Sequence, residues 1–322
     1  MGQRDGILIT LSKINGIDLE TINQIPDSII YSLKNEADIF NFINSNAAFN
    51  KHTNYSFDEI KKAYNIAQLI KEECKKGKIE IITKFDDKYP ERFKKLSNYP
   101  PFFYAKGNSS ILKKAGIAII GTRFPSNKGK AWGTKLSEAI SRKGYTIISG
   151  LAAGSDSCAH IGCLRAGGET VAVMPTHLNN IYPIQNKNLF HDILDNNGCV
   201  ISEYELGHPI NENDFVLRDR LQAGLAVGTI VIEAGIAGGT MHAVNTTLKL
   251  ERPLAFLKFS EEHYEQYENA SANKSFLENN KALPIACSSD IDNFLSECAA
   301  KDEASLTNLP DNNSAIAEQS LF

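Results

Sequence analysis

Residues 116–123 read Gly-Ile-Ala-Ile-Ile-Gly-Thr-Arg, an apolar run that ends in a glycine, a hydroxyl residue and a cation. Two further apolar runs end in similar turns, Ser-Gly-Leu-Ala-Ala-Gly at 149–154 and Ala-Gly-Gly-Thr at 237–240. Strands this apolar are buried on both faces, as in a parallel sheet. Ligands of such sheets bind beyond the carboxyl ends of the strands, where glycine lets backbone N–H groups approach an anion. The sequence therefore predicts a phosphate-binding site at one edge of a parallel sheet.

Strand and helix patterns alternate along the central part of the chain. Helical patterns lie between successive apolar runs, and the connections are short. This alternation is typical of an α/β fold, here an extended Rossmann-like, doubly wound and mostly parallel sheet. The predicted strands are 117–121, 145–149, 170–174, 199–203, 229–233 and 253–258, and the predicted helices are 128–142, 155–166, 186–196, 214–226 and 239–250.

Composition divides the chain into three predicted segments. Residues 1–76 follow helical spacing and predict a small domain of the SAM or helix-hairpin-helix kind, although the turn at 11–17 also fits an ordinary glycine-capped helix. Residues 77–298 contain the Rossmann-like domain, in which the glutamates of 261–268 indicate an exposed segment. Residues 299–322 are acidic and rich in small polar residues, which predicts a disordered tail.

Charge is unevenly distributed along a chain whose formal net charge is −4. Residues 61–150 carry 20 basic and 7 acidic side chains, whereas residues 261–322 carry 3 and 12. A local excess of charge often marks only a solvated face. Beside a predicted anion site, however, the basic excess favours a polyanionic partner such as a nucleic acid.

The common cofactor, metal and membrane signatures are missing from the sequence. There is no G-x-G-x-x-G or Walker motif, and the six cysteines form no C-x-x-C pair, so we expect no cofactor, no metal and reduced thiols. No apolar run approaches the roughly 20 residues of a membrane span. We therefore expect a cytoplasmic protein without a membrane partner. His160 and His242 have no legible nucleophile nearby and are interpreted as packing residues, so no catalytic residue is predicted.

Three arginines are candidate ligands of a phosphate. Arg123 ends the first turn, where its guanidinium could bind phosphate in a bidentate manner. Arg218 and Arg220 are two residues apart near a helix start, so they do not share one helical face. One of them could enter a groove while the other braces a loop beside Glu203 or Glu233. An ordinary structural salt bridge is the alternative for either arginine.

In this order, the motifs resemble the DNA-processing protein A family (DprA, also called Smf). The resemblance covers roughly two-thirds of the chain, from Ile79 to about Leu295. The residues that carry it are Tyr89-Pro90, Lys106-Gly107, Gly121-Thr122-Arg123, Ser149-Gly150-Leu151-Ala152, Asp156, Tyr182-Pro183, Ser202-Glu203, Phe215, Arg218-x-Arg220 and Glu233.

The resemblance implies that residues 77–298 bind single-stranded DNA without hydrolysing it. It further implies a homodimer that helps to load the bacterial strand-exchange recombinase during recombination, natural transformation, repair or defence. Stacking on Phe215 and phosphate contacts to the arginines would hold the strand. Carried onto this chain, the DNA-binding residues are Gly121, Thr122, Arg123, Ser149, Gly150, Phe215, Arg218, Arg220, Gly238, Gly239 and Thr240.

Two departures from the family pattern support an alternative function. The family usually has Arg-Asn-Arg where this chain has Asp219 between the arginines, and Ser-Gly-Ser-Leu-Ile-Thr where residues 237–242 read Ala-Gly-Gly-Thr-Met-His. Gly-Gly-Thr turns also occur in related Rossmann proteins that bind nucleotides. The alternative is therefore a nucleotide sensor or a nucleoside-monophosphate phosphoribohydrolase, for which Glu233 is the residue to test.

Overall fold

A nine-stranded sheet organises the part of the chain that the computed structural model describes, residues 3–46, 49 and 55–307. The buried apolar runs of the sequence form its central strands, which are short because turns follow each of them closely. In chain order the strands are β1 (Glu80–Thr83), β2 (Phe102–Gly107), β3 (Gly116–Ile120), β4 (Thr146–Ser149), β5 (Thr170–Val173), β6 (Cys199–Ser202), β7 (Gly228–Val231), β8 (Leu254–Leu257) and β9 (Leu283–Ile285).

The sheet is doubly wound, and its order is β1-β2-β6-β5-β4-β3-β7-β8-β9. Strands β3 to β9 pair in parallel, whereas β2 pairs antiparallel with both β1 and β6. From β3 the chain winds one way through β4, β5 and β6, and then the other way through β7, β8 and β9. The carboxyl ends of β3 and β7 therefore flank a topological switch point, the usual place for a ligand. The predicted fold class is confirmed.

Helices cover both faces of the sheet. The long helix α5 begins with a capping box in which Ser56 and Glu59 satisfy each other's backbone N–H groups. The helices are α1 (Gln3–Ser12), α2 (Leu19–Gln24), α3 (Asp27–Ser32), α4 (Glu36–Ser45), α5 (Phe57–Lys76), α6 (Asn127–Arg142), α7 (Ser155–Arg165), α8 (Lys187–Asp195), α9 (Glu212–Leu225), α10 (Thr240–Lys249), α11 (Glu261–Gln266), α12 (Ser271–Glu278) and α13 (Ser288–Thr307).

The N-terminal helical segment packs directly on the sheet. One hydrophobic cluster joins Ile7 and Leu8 of α1 and Ala67 of α5 to Ile81 of β1 and Tyr104 of β2. The helical character predicted for this segment is present in its described residues. Its apolar face is buried against the first two strands, and the division of the chain at residue 76 stays a prediction.

Residues 261–268 are mostly exposed, as expected, but one buried side chain of this segment anchors the fold. The segment forms α11, whose His263 side chain is buried and lies 2.8 Å from Glu233, through its Nε2 and the carboxylate Oε1. The His263 ring also stacks on Phe259, with the ring centroids 4.2 Å apart. The glutamates lie on the solvent side of this short helix. Because glutamates dominate the composition of the segment, composition does not indicate that its histidine is buried.

The C-terminal boundary also differs from the prediction of a disordered tail from residue 299. Helix α13 continues to Thr307 because two contacts hold its later turns in place. Cys298 is buried beside Gly228, and Asp302 pairs with Arg92 at 2.6 Å. The remainder of the predicted tail, residues 308–322, lies outside the described residues.

Candidate functional site

A cavity of about 560 Å³ opens at the switch point, beyond the carboxyl ends of β3 and β7. We call it the switch-point cavity. The turn after β3, one face of α9 and the loop that precedes α10 form its walls. Eight of the eleven predicted site residues line it, namely Gly121, Thr122, Arg123, Phe215, Arg218, Gly238, Gly239 and Thr240.

The turn after β3 is held in one conformation by backbone hydrogen bonds. The Thr122 N–H donates to the Glu233 carbonyl at 2.7 Å, and the Thr122 carbonyl accepts from the Ser155 N–H at 3.1 Å. A Cβ at Gly121 would lie 2.5 Å from the Ser155 Oγ and 2.7 Å from the Glu233 carbonyl oxygen. Glycine is therefore required here, and the turn presents Arg123 to solvent at the rim of the cavity.

Arg123 lies beside an aromatic ring at this rim. Its Cζ is 5.4 Å from the ring centroid of Phe215, which packs edge-on against Tyr182 at a centroid distance of 5.3 Å. Arg123 forms no ion pair with any residue that the structure describes. The neighbouring side chain, Phe124, is 79% exposed. These four side chains also line a smaller cavity of about 160 Å³, which we call the aromatic cleft. A cation and partly exposed aromatic side chains meet there.

Ser149 and Gly150 lie behind the cavity wall and do not line it. The buried Ser149 hydroxyl donates to the Ile119 carbonyl at 2.6 Å. A Cβ at Gly150 would lie 2.3 Å from both Arg218 Nη1 and Asp156 Oδ2. Gly150 thus leaves room for the Arg218 and Asp156 side chains, and the Ser149 hydroxyl connects β4 to β3.

His160 of α7 is wholly buried behind the same wall. Its Nε2 lies 2.6 Å from the Gly150 carbonyl, and its Nδ1 lies 2.7 Å from the Thr170 hydroxyl. Burial lowers the pKa of His160 to about 4, so the ring is neutral at physiological pH. These contacts are those of a packing residue.

Arg218 is buried among carboxylates and carbonyl oxygens, and is only 6% exposed. Its Nε donates to Asp219 Oδ1 at 3.0 Å, and its Nη1 donates to the Val173 carbonyl. Burial raises the pKa of Asp156, and burial also raises the pKa of Asp219 to about 6, while the charge of Arg218 opposes both shifts. One buried cation therefore faces two carboxylates at the inner wall of the cavity.

Arg220 points away from the switch-point cavity. Its two terminal nitrogens each donate to one oxygen of Glu203 at 2.7 Å, and its Nη2 also donates to the Asn98 carbonyl at 3.0 Å. This bidentate pair gives Arg220 the bracing role that the sequence left open for one of the two arginines, with Glu203 as the partner.

Glu233 is fully buried behind the turn after β3. Its carboxylate accepts from the Ser126 N–H and hydroxyl, each at 2.7 Å, and from His263. A Cβ at Gly129 would lie 2.5 Å from the carboxyl carbon. Glu233 thus fixes the first turn of α6 against α11, and does not line the cavity.

We expect Glu233→Gln to lower the free energy of unfolding by about 1–3 kcal/mol, because an amide cannot accept all three hydrogen bonds. Urea unfolding monitored by circular dichroism measures this loss. The matched control is Glu268→Gln, which removes a charge from the exposed rim of the switch-point cavity and is expected to change stability by less than about 0.5 kcal/mol. Equal stability of the two variants would contradict the anchoring role.

Several lining residues were not predicted from the sequence. Gln222 lies one helical turn after Asp219 on α9, a spacing that could have indicated it once the helix was placed. Glu268, Asn269 and Ser271 come from the segment after α11, and no sequence signal links them to a turn more than a hundred residues earlier. Among the described residues, no group of three side chains could hold a metal ion, and no helix is long and apolar enough to cross a bilayer.

We expect Asp219→Asn to stabilise the protein near neutral pH. The folded-state pKa of about 6 lies above the ordinary value of 3.8, so the ionised carboxyl costs stability above pH 6, and that cost disappears as the pH falls toward 3.8. The charges of Arg218, Asp156 and His242 act on the Asp219 carboxyl. We expect a gain of about 1–2 kcal/mol at about pH 7.5, less than the full shift because the Asp219 side chain is 14% exposed. The denaturant midpoints of the variant and the wild type at about pH 7.5 and about pH 4 measure this gain in stability. A gain that is equal at the two pH values would contradict a raised pKa for Asp219.

Comparison with known proteins places the chain in a family. The model of DNA recombination-mediator protein A matches residues 80–298. Protein Smf of Synechocystis is 38% identical over 174 residues, which are 53% of this chain and 44% of that protein. The DNA processing protein DprA of Streptococcus pneumoniae is 36% identical over 156 residues, 48% of this chain and 55% of that protein. The chain thus matches about half the length of these curated relatives.

Solved structures show the same fold. DNA processing protein A of S. pneumoniae superposes with a TM-score of 0.72 at 24% identity, covering 90% of this chain and 97% of that one. DNA processing protein A of Helicobacter pylori, whose structure concerns its single-stranded DNA binding mode, gives 0.60 at 26% identity and covers 68% and 96%. The predicted resemblance is confirmed. The chain belongs to the DNA recombination-mediator protein A family, the DprA/Smf family of DNA processing and recombination.

Proposed function

We propose that this chain binds single-stranded DNA along the rim of the switch-point cavity and the aromatic cleft. The observation that carries the proposal is the juxtaposition of Arg123 and Phe215 at the mouth of both cavities. The Arg123 guanidinium lies 5.4 Å from the ring and forms no ion pair within the described part of the chain. Single-strand binding without sequence preference combines cations that follow the backbone with aromatic faces on which bases stack. Phe124 and Tyr182 extend this aromatic surface.

Backbone amides would supply the remaining phosphate contacts. Gly121 and Thr122 lie on one side of the cavity, and Gly238 and Gly239 lie across from them in the exposed loop before α10. No heavy atom of the described residues lies within 4 Å of a Cβ built on Gly239, so that loop leaves open space beside its backbone. A phosphate can approach N–H groups closely at such positions.

The basic excess of residues 61–150 continues this surface along α6. Lys128, Lys130 and Lys135 are exposed on that helix, and Lys128 lies over the Trp132 ring at 4.5 Å. None of the three lysines forms an ion pair with a described residue. Their charges would attract a polyanion toward Arg123 from the surrounding solvent.

Wider assembly is proposed from family membership. We propose a cytoplasmic homodimer that protects single-stranded DNA and helps to load a strand-exchange recombinase, with no catalytic step of its own. Sedimentation analysis with and without oligo-dT tests the dimer, and strand exchange on DNA coated with single-strand-binding protein tests loading. A monomer at all concentrations, or no stimulation of exchange, would contradict these two proposals.

The binding proposal is tested by fluorescence anisotropy with labelled oligo-dT of about 20 nucleotides, a length that spans more than one stacking site. We expect saturable binding at low salt, and weaker competition by a duplex of the same length, because paired bases cannot stack on Phe215. Absence of binding at low salt, with Arg123→Ala indistinguishable from the wild type, would overturn the proposal.

A nucleotide-binding role is the second candidate, and the Gly238-Gly239-Thr240 turn at the cavity favours it. A cavity of this volume is within the range of small-ligand pockets, about 300–1,000 Å³. Release of ribose 5-phosphate from nucleoside monophosphates would identify a phosphoribohydrolase. Loss of that activity in a folded Glu233→Ala variant would implicate Glu233, whose carboxylate is already occupied by Ser126 and His263.

A further inference from the structure

The inner wall of the switch-point cavity carries more negative than positive charge. Asp156 and Asp219 line this wall together with Arg218. The Arg218 Nε donates to Asp219 Oδ1 at 3.0 Å, and the Arg218 charge also acts on the Asp156 carboxyl. When both carboxyls are ionised, one buried guanidinium therefore faces two negative charges.

A bound phosphate adds a third negative group to this cluster. In the binding mode proposed above, the phosphate lies against Arg123 at the rim. The charge of Arg123 acts on the Asp156 carboxyl, so a charge placed at the rim also acts on the inner wall. Partly buried charges are screened less than charges in open solvent. Binding of a strand therefore favours the form of the site that has one fewer ionised carboxyl.

Asp219 is the carboxyl that is placed to take up a proton. Its side chain is 14% exposed, and no residue in the described ranges donates to its Oδ2, whereas its Oδ1 accepts from Arg218 and Gln222. Burial raises the pKa of Asp219 to about 6, close to physiological pH. The Asp156 Oδ2 accepts from the Ala152 N–H at 3.2 Å, and this hydrogen bond favours the ionised form of Asp156 and opposes the effect of burial.

Resting on the binding mode proposed above, we propose that the site takes up a proton on Asp219 when it binds single-stranded DNA. The proton joins the Asp219 carboxylate, which leaves the charges of Arg218 and Asp156 balanced beside the incoming phosphate. Binding of DNA is then regulated by pH. Because the protonated site binds more tightly, affinity rises as the pH falls from about 8 to about 5.5 and changes little below that range.

The other charged groups that face Asp219 come from four elements of the fold. A guanidinium stays charged at physiological pH, so Arg218 of α9 and Arg123 of the turn after β3 do not supply the proton site. Glu268, from the segment after α11, is exposed at the rim. His242 of α10 is exposed and its charge acts on Asp219, so its protonation is the competing source of pH dependence.

The test measures the affinity for labelled oligo-dT by fluorescence anisotropy at constant ionic strength. For the wild type we expect about tenfold tighter binding at about pH 5.5 than at about pH 8, the change that accompanies a rise of about one in the pKa of Asp219 on binding. Asp219→Asn is permanently neutral, so its affinity should vary by less than about twofold and should match that of the wild type at about pH 5.5. Circular dichroism at each pH establishes that the proteins are folded.

Two control variants separate this proton from the other charges. Glu268→Gln removes a negative charge from the rim, and should strengthen binding while keeping the wild-type pH dependence. His242→Gln removes the competing titratable group and should also keep the pH dependence. Loss of the pH dependence in His242→Gln, with its retention in Asp219→Asn, would assign the proton to the histidine and overturn the inference.

Isothermal titration calorimetry in buffers of different ionisation enthalpy counts the protons directly. At about pH 6.5 we expect the wild type to take up about half a proton per bound strand, and Asp219→Asn to take up none. Binding without proton uptake by the wild type, or equal uptake by the two proteins, would overturn the inference and leave the proposed function intact. Failure of the wild type to bind oligo-dT at every pH, even at low salt, would overturn both.

Discussion

Replacing Arg218 by alanine is expected to lower the free energy of unfolding by about 3–5 kcal/mol, because it leaves the buried carboxyls of Asp156 and Asp219 without their cation. Domains are stable by only about 5–15 kcal/mol, so this loss brings the chain close to unfolding at moderate temperature. Chemical unfolding monitored by circular dichroism measures the change. Loss of DNA binding in this variant would follow from loss of the cavity wall.

Arg123→Ala is the matched control for Arg218→Ala. Both changes remove an arginine from the same cavity, but Arg123 is exposed and has no ion pair among the described residues, so we expect a change below about 0.5 kcal/mol. Adding Asp219→Asn to Arg218→Ala removes one uncompensated charge and should recover part of the lost stability. If Arg218→Ala unfolded at the wild-type denaturant concentration yet failed to bind DNA, Arg218 would contact the ligand directly.

Arg123→Ala and Phe215→Ala are expected to weaken binding of oligo-dT by about tenfold each, because a charge-assisted phosphate contact and a stacked base are worth roughly 1–3 kcal/mol apiece. Since the guanidinium lies 5.4 Å from the ring, the two losses should not be fully additive. Anisotropy titrations of the single and double variants measure the coupling.

Phe215→Tyr serves as the control for stacking, since it keeps the ring and should bind within about twofold of the wild type. Circular dichroism establishes that each variant is folded before its affinity is compared. Wild-type affinity in Phe215→Ala would contradict the stacking role, and wild-type affinity in Arg123→Ala would contradict the phosphate contact.

The central sheet could be predicted from the sequence because its strands are continuous apolar runs that end in turn residues. Residues 116–120 and 228–231, for example, lie within or directly beside predicted strands, and the structure pairs them in parallel. β2 was harder to predict, because it follows Pro100-Pro101 and pairs antiparallel at the side of the sheet. The anchoring of 261–268 depends on one buried histidine among glutamates, which composition does not reveal.

The cavity of the candidate site could be predicted from the sequence, but the contacts of each residue could not. Glycine turns after β3 and before α10 indicated the cavity, and eight predicted residues line it. Sequence spacing shows only that Arg218 and Arg220 point in different directions. The structure adds that Arg218 is buried beside carboxylates and that Arg220 pairs with Glu203. The hydrogen bond that Gln222 Nε2 donates to Asp219 Oδ1 joins side chains one helical turn apart, and no sequence motif indicates it.

The most direct test of single-stranded DNA binding at this cavity is the salt dependence of oligo-dT affinity for the wild type and for Arg123→Ala. If the rim neutralises phosphates, the logarithm of the association constant falls linearly with the logarithm of salt concentration, and the slope becomes shallower by about one when Arg123 is removed. We predict that change of slope together with unaltered stability. Equal slopes and equal affinities for the two proteins would contradict DNA binding at the switch-point cavity.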